Sequence, residues 1–193
     1  MCIRDRGTTN TRVFLFNEKN EVAASAKSEI GVRITAIDGN NNRLKTAIRG
    51  CLEEVLKQAG ITYDEVKKVV ASGMITSNVG LVEIPHVVAP ASAEDLAEAA
   101  KSVLIEDVCP LPILFIPGVK NRDGKLDLAT FESMDMMRGE EVETVAVVES
   151  LPKGQAYLLV LPGSHTKFVS VDCAGKITGC LTTISGELLS VIT

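Results

Sequence analysis

A short pattern occurs twice in the chain and constrains the fold more than any other feature. Gly7-Thr8-Thr9-Asn10-Thr11-Arg12-Val13-Phe14 and Gly163-Ser164-His165-Thr166-Lys167-Phe168-Val169 each read as a glycine-hydroxyl turn, a basic residue and a β-strand. Each is followed by a polar turn, Asn17 to Asn20 or Asp172 to Gly175, and then by a returning strand. The repeated unit is therefore a β-hairpin entered through a glycine turn. Glycine lets backbone N–H groups approach an anion, and neighbouring Ser or Thr hydroxyls add donors, so each turn is a candidate phosphate cradle. Two such turns facing one another can clamp a polyphosphate. The candidate phosphate-binding residues are Gly7, Thr8, Thr9 and Asn10 in the first copy and Gly163, Ser164, His165 and Thr166 in the second. Asp5 lies beside the first turn and can hold Mg2+ through water, because a hard cation prefers carboxylate and water oxygens.

The segments between the copies alternate in type. Thr11 to Phe16 and Glu21 to Ser28 read as the two strands of the first hairpin. Leu44, Ala47, Ile48, Cys51, Leu52, Val55 and Leu56 recur at amphipathic-helix spacing, with Gly60 placed to end the helix. Thr62 and Glu65 fit a capping box, and Lys68 to Ser72 reads as a buried strand. Ser92 and Asp95 mark a helix start, with Leu96, Ala99, Ala100, Val103 and Leu104 on one face, before a strand at Ile113 to Ile116. A third helix is expected from Met136 to Glu149, then strands at Tyr157 to Leu161, Lys167 to Val171 and Lys176 to Ile184. This order predicts one α/β domain over 1–152 and the opening of a second over 153–193.

With 46% hydrophobic and 23% charged residues in a chain of 193, there is enough apolar material for one full core and the start of another. The net charge of −5 argues against a nucleic-acid footprint, which needs a clustered excess of Lys and Arg. No apolar run approaches the roughly 20 residues that span a bilayer, and no membrane partner or secretory signal is expected; cytoplasm is the expected compartment. The five cysteines form no CxxC or Cys/His cluster and read as reduced thiols. There is no GxxxxGK[ST] and no GxGxxG after a strand, which sets the chain apart from P-loop kinases and Rossmann dehydrogenases.

Against that background, Asp5-Arg6-Gly7-Thr8-Thr9-Asn10-Thr11-Arg12 resembles the first phosphate motif of the actin-like sugar kinases, and Leu161-Pro162-Gly163-Ser164-His165-Thr166-Lys167-Phe168 resembles the second. Ala71-Ser72-Gly73-Met74-Ile75-Thr76-Ser77-Asn78-Val79-Gly80, Met137-Arg138-Gly139-Glu140-Glu141 and Ser185-Gly186-Glu187-Leu188, in that order, resemble the 2-dehydro-3-deoxygalactonokinase family over nearly the whole chain. The resemblance implies an actin-like (ribonuclease H-like) α/β fold and ATP- and magnesium-dependent phosphorylation of 2-dehydro-3-deoxy-D-galactonate at its terminal hydroxyl. ATP and a sugar acid are then the partners.

On its residue type alone, Arg138 reads either as a solvated helix charge or as a grip on a carboxylate; the resemblance favours the grip, which a planar guanidinium makes with two parallel hydrogen bonds. Glu140 is the candidate catalytic carboxylate beside Asp5, and Glu141 a candidate for orienting substrate hydroxyls, although acids on a helix face are commonly just solvated. Ser77 and Asn78 follow a strand, where α/β sheets place ligand-binding groups, and their side chains suit hydroxyl recognition. Lys167 can face phosphate or point to solvent. His86 is expected to pack near the surface, outside the site.

Two departures from the family pattern are expected to matter. Only Met1-Cys2-Ile3-Arg4 precedes Asp5 where the family has an apolar strand, and this stretch resembles an adapter-derived leader. At the other end the chain stops at Thr193, so most of the second domain, with the adenosine site, is expected to be missing and the fragment to be inactive. A kinase for another sugar or polyol, or a non-catalytic sugar- or phosphate-binding module on the same fold, are the other readings.

Overall fold

The computed structural model describes residues 1–5, 9–124 and 127–192, with Arg4 and Asp5 as backbone only. In chain order it forms β1 (Cys2–Asp5), β2 (Thr11–Phe16), β3 (Val22–Ser28), α1 (Arg33–Asp38), α2 (Asn42–Ala59), β4 (Val69–Gly73), β5 (Val87–Val88), α3 (Ala93–Ala99), β6 (Lys101–Ile105) and β7 (Cys109–Phe115). There follow β8 (Val119–Lys120), β9 (Met136–Met137), α4 (Glu140–Ser150), β10 (Tyr157–Leu161), β11 (Thr166–Val171), β12 (Ile177–Thr183) and α5 (Ser185–Ile192). Two compact units result: Met1–Pro85 with Ala100–Pro117, and His86–Ala99 with Gly118–Thr193. The expected division after residue 152 marks where the second hairpin copy begins, which is a different criterion from compactness, and stays a proposal.

The first unit is built on one sheet in the order β3-β2-β1-β4-β7-β6, antiparallel across β1, β2 and β3 and parallel across β1, β4 and β7. This is the α/β class expected from the sequence. Met1 to Asp5, expected to be a leader in place of an apolar strand, supplies the central strand: Ile3 is fully buried and pairs with Val13 on one side and Ala71 on the other. The α2 stripe is buried as its spacing predicts, with Leu44, Ile48, Leu52 and Val55 fully inaccessible and the helix laid against β2 and β3. Gly60 ends it at φ 68°, donating its N–H back to the last turn, while Ile61 donates to Leu56 O. The Thr62–Glu65 capping box is also present, on a single 3₁₀ turn.

Two helices are shorter than expected. The apolar pattern from Leu96 to Leu104 does not continue one helix: α3 stops at Ala99, and Lys101–Ile105 turns back as β6 to pair antiparallel with β7, Val103 opposite Ile113. The β-branched Val103 and Ile105 fit a pleated edge, and the hairpin satisfies their backbone, so tertiary pairing overrides helical spacing. Likewise α4 begins at Glu140 rather than Met136. Met136 and Met137 pair with Lys120 and Val119, and Gly139 at φ 107° breaks the path between strand and helix.

In the second unit β10, β11 and β12 form an antiparallel sheet, and β5, β8 and β9 a smaller mixed one. Side chains close the outer edge of β12 as a neighbouring strand would. The Asn121 carboxamide accepts from Cys180 N–H (2.7 Å) and donates to Cys180 O (2.8 Å), and the Asp135 carboxylate accepts from Thr182 N–H. No helix among the described residues is long and apolar enough to cross a membrane. Because the α2 stripe is the first unit's principal helical contribution to its core, Ile48→Ala is expected to lower the unfolding free energy by about 2–5 kcal/mol in urea denaturation, while truncating the exposed Val147 changes it by roughly 0.5 kcal/mol or less.

Candidate functional site

The second glycine turn joins β10 to β11 and is open: Gly163, Ser164 and His165 are exposed and Thr166 half-buried. The start of α5 packs directly on it. Glu187 N–H donates to Ser164 O (3.0 Å), and the Thr166, Thr183 and Ser185 hydroxyls form a chain at 3.0 and 3.2 Å. A Cβ on Gly186 would stand 2.1 Å from Gly163 O, so only glycine permits this approach. The His165 imidazole lies 3.6 Å from the Glu187 carboxylate, both largely in solvent.

Lys167 takes neither of the places expected for it. It is buried, and its ammonium meets the Asp135 carboxylate (3.5 Å), the Met136 carbonyl and the Thr182 hydroxyl. The strand leaving the second turn is thereby tied to the segment that leads into Met137-Arg138-Gly139.

Arg138 stands at a strand-to-helix turn, not on a helix face, and is half-buried. Its guanidinium lies 3.4 Å from His86 Nδ1. His86 is half-buried, and burial, with the Arg138 and Lys120 charges, pushes its pKa down to about 4. Sequence reasoning left His86 out of the site, and a lone histidine between Pro85 and Val87 carried no signal that would have put it there.

Glu140 is half-buried at the first position of α4. Glu141 is not a solvated helix-face acid but fully buried, both carboxyl oxygens accepting from Gly139 N–H at 2.8 and 2.7 Å. Burial pushes its pKa up to about 8. Its observed place is a cap on the turn that carries Arg138, not an open position facing a ligand.

In the first unit, Ser77 is buried and donates to Met74 O (2.6 Å), which closes the turn after β4, while Asn78 is exposed. Thr9 is exposed and Asn10 half-buried, the Asn10 amide donating to the Thr9 hydroxyl (3.0 Å). Gly7, Thr8 and the Asp5 side chain lie outside the described residues. Among those described, no three His, Cys, Asp or Glu side chains gather to hold a metal; magnesium held through one carboxylate, water and nucleotide oxygens needs no such group. Cys51, Cys109 and Cys180 are free and buried, and burial raises their thiol pKa values.

Comparison with known proteins gives one consistent result. Residues 5–193 match the family described as 2-keto-3-deoxy-galactonokinase. The chain is 30% identical over 185 residues to the 2-dehydro-3-deoxygalactonokinase of Escherichia coli (strain K12), covering 95% of this chain and 53% of that protein. It is similar, at 25% identity and a TM-score of 0.74, to a crystal structure of "a putative 2-dehydro-3-deoxygalactonokinase protein" from Sinorhizobium meliloti, over 99% of this chain and 56% of that one. The chain thus spans about half the length of the relatives it matches.

The burial of Glu141 has a measurable consequence. A carboxyl whose pKa rises from 4.5 in the unfolded chain to about 8 in the fold binds more protons folded than unfolded between those values. Its contribution to stability is full below the unfolded pKa and is lost as pH rises through the folded one. Glu141→Gln, which stays neutral, is expected to remove that decline: the difference in unfolding free energy between variant and parent grows in the variant's favour from acid toward mildly alkaline pH. A difference independent of pH would show that Glu141 is ionised in the fold.

Proposed function

The chain belongs to the 2-keto-3-deoxy-galactonokinase family, and on that premise we propose that it carries the acid-binding residues and both phosphate turns of an ATP-dependent sugar-acid kinase. The substrate is 2-dehydro-3-deoxy-D-galactonate, phosphorylated at its terminal hydroxyl. The observation that supports this best is the seating of Arg138, a half-buried guanidinium at a turn fixed by Gly139 and the Glu141 cap. Such a group suits a carboxylate, which it meets with two parallel charge-assisted hydrogen bonds.

The other roles follow from chemistry and position. Glu140, next to Arg138, orients the acceptor hydroxyl or takes its proton, and Ser77 and Asn78 contribute hydroxyl contacts. Glu141 acts by holding the Arg138–Glu140 turn. Gly163, Ser164, His165 and Thr166 form a glycine-hydroxyl loop, exposed over its first three residues, whose donors fit nucleotide phosphate, and Gly7, Thr8, Thr9 and Asn10 are the phosphate-binding residues of the first copy. Asp5 would hold magnesium through water, and magnesium when bound would neutralise phosphate charge. Phosphoryl transfer depends on alignment and charge neutralisation, which glycine-hydroxyl turns of this kind are suited to supply. The setting is a cytoplasmic catabolic enzyme.

Arg138→Ala is expected to weaken binding of the sugar acid by roughly 10- to 150-fold, the loss of about 1.5–3 kcal/mol, and to leave the matching neutral sugar almost unaffected. Calorimetric titration with both ligands, supported by a thermal-shift panel of sugar acids and nucleotides, makes the test. Equal weakening of acid and neutral sugar would refute carboxylate recognition by Arg138.

A further inference from the structure

We propose that His86 is a positioning residue for Arg138: His86, Gly118 and Arg138 form a seat at one end of the β5–β8–β9 sheet that fixes the guanidinium for a sugar-acid carboxylate. The inference rests on the reading of Arg138 given above and adds the residues that aim it.

The seat follows from strand register. Val87 pairs in parallel with Val119, and Val119 pairs antiparallel with Met137. The residues one step outside those pairs, His86, Gly118 and Arg138, therefore lie abreast, and Val87 N–H donates to Gly118 O (2.9 Å) to hold that end of the sheet together. Gly118 is the floor. A Cβ there would stand 2.3 Å from Met137 O and 2.8 Å from both Arg138 Cγ and His86 Cδ2, so the two side chains meet over the space that a side chain on residue 118 would fill.

The chemistry of the contact sets the protonation state of His86. A guanidinium has donors and no acceptor, so at 3.4 Å the Nδ1 lone pair must accept from Arg138. The ring is then neutral with its proton on Nε2, a buried atom without a hydrogen-bond partner among the described residues. The groups that bear on it are the Arg138 and Lys120 charges, both cationic, and together with burial they keep the imidazole neutral at physiological pH. A neutral acceptor beside the guanidinium limits its rotation without competing for its charge, as a carboxylate in that place would. Bidentate recognition depends on that plane being fixed.

The test has two arms. In the first, imidazole nitrogen NMR is recorded on the chain without ligand; with only His86 and His165 present, a His165→Asn variant assigns the signals. The expected result is a neutral His86 with the proton on Nε2 at neutral pH, and a pKa that moves up toward the ordinary histidine value in Arg138→Gln. A proton on Nδ1, or a pKa unmoved by Arg138→Gln, overturns the pairing. In the second, sugar acid and matching neutral sugar are titrated calorimetrically into His86→Ala, His86→Asn and Gly118→Ala. The expected result is a roughly tenfold loss for the acid in His86→Ala, little change for the neutral sugar, substantial rescue by Asn, whose carbonyl can accept, and a selective loss in Gly118→Ala. A merely structural role would weaken both ligands alike and would not be rescued selectively. If Arg138→Ala weakens acid binding and His86→Ala does not, the positioning role alone is overturned. If Arg138→Ala does not discriminate acid from neutral sugar, or the acid does not bind, the carboxylate reading itself fails and this inference with it.

Discussion

A buried ammonium has to be met by acceptors, and in the second unit that requirement falls on Lys167. Its Nζ is surrounded by the Asp135 carboxylate, the Met136 carbonyl and the Thr182 hydroxyl, and Asp135 in turn accepts from Thr182 N–H. Breaking such a pair by removing one partner leaves an uncompensated charge, so the segment approaching Arg138 cannot drift from the hairpin that carries the second glycine turn. Asn121 fastens the same edge two residues away, at Cys180. The positions of Arg138, Gly139 and the Glu141 cap all inherit their anchorage from these contacts.

The first unit rests on a different constraint, the burial of one helix stripe on a mixed sheet. That stripe was readable because its period is strong and its end is marked by a glycine in the left-handed region. The hairpins were readable for a similar reason: polar turn residues interrupt β-rich runs at Asn17 to Asn20 and Asp172 to Gly175. What was not readable is where pairing partners, rather than local pattern, decide. Leu96 to Leu104 has helical spacing, yet its second half is claimed by β7, and Met136-Met137 is claimed by β8.

The candidate site divides along the same line. The second turn could be named as a candidate from its glycine-hydroxyl motif, which is a local property, whereas residue type left Arg138 open between a solvated charge and a carboxylate grip, and the family resemblance chose between them. The seat beneath Arg138 could not. It joins residues 86, 118 and 138 through a register that only the three-stranded pairing creates, and Gly118 has no side chain to advertise it. Glu141 misled in the opposite direction: acidic residues at a helix start are ordinarily solvated, whereas here the turn at Gly139 folds the carboxyl inward.

The central claim is that this chain carries the acid-recognising and phosphate-gripping residues proposed for a sugar-acid kinase, and it spans about half the length of the relatives it matches. The direct measurement is ATP-dependent phosphorylation of 2-dehydro-3-deoxygalactonate by a protein of the relatives' length that carries this chain, and by the same protein with Arg138→Ala. The account predicts turnover by the parent and a marked loss of it in Arg138→Ala. No turnover by the parent, or turnover unchanged by Arg138→Ala, would contradict the proposed activity.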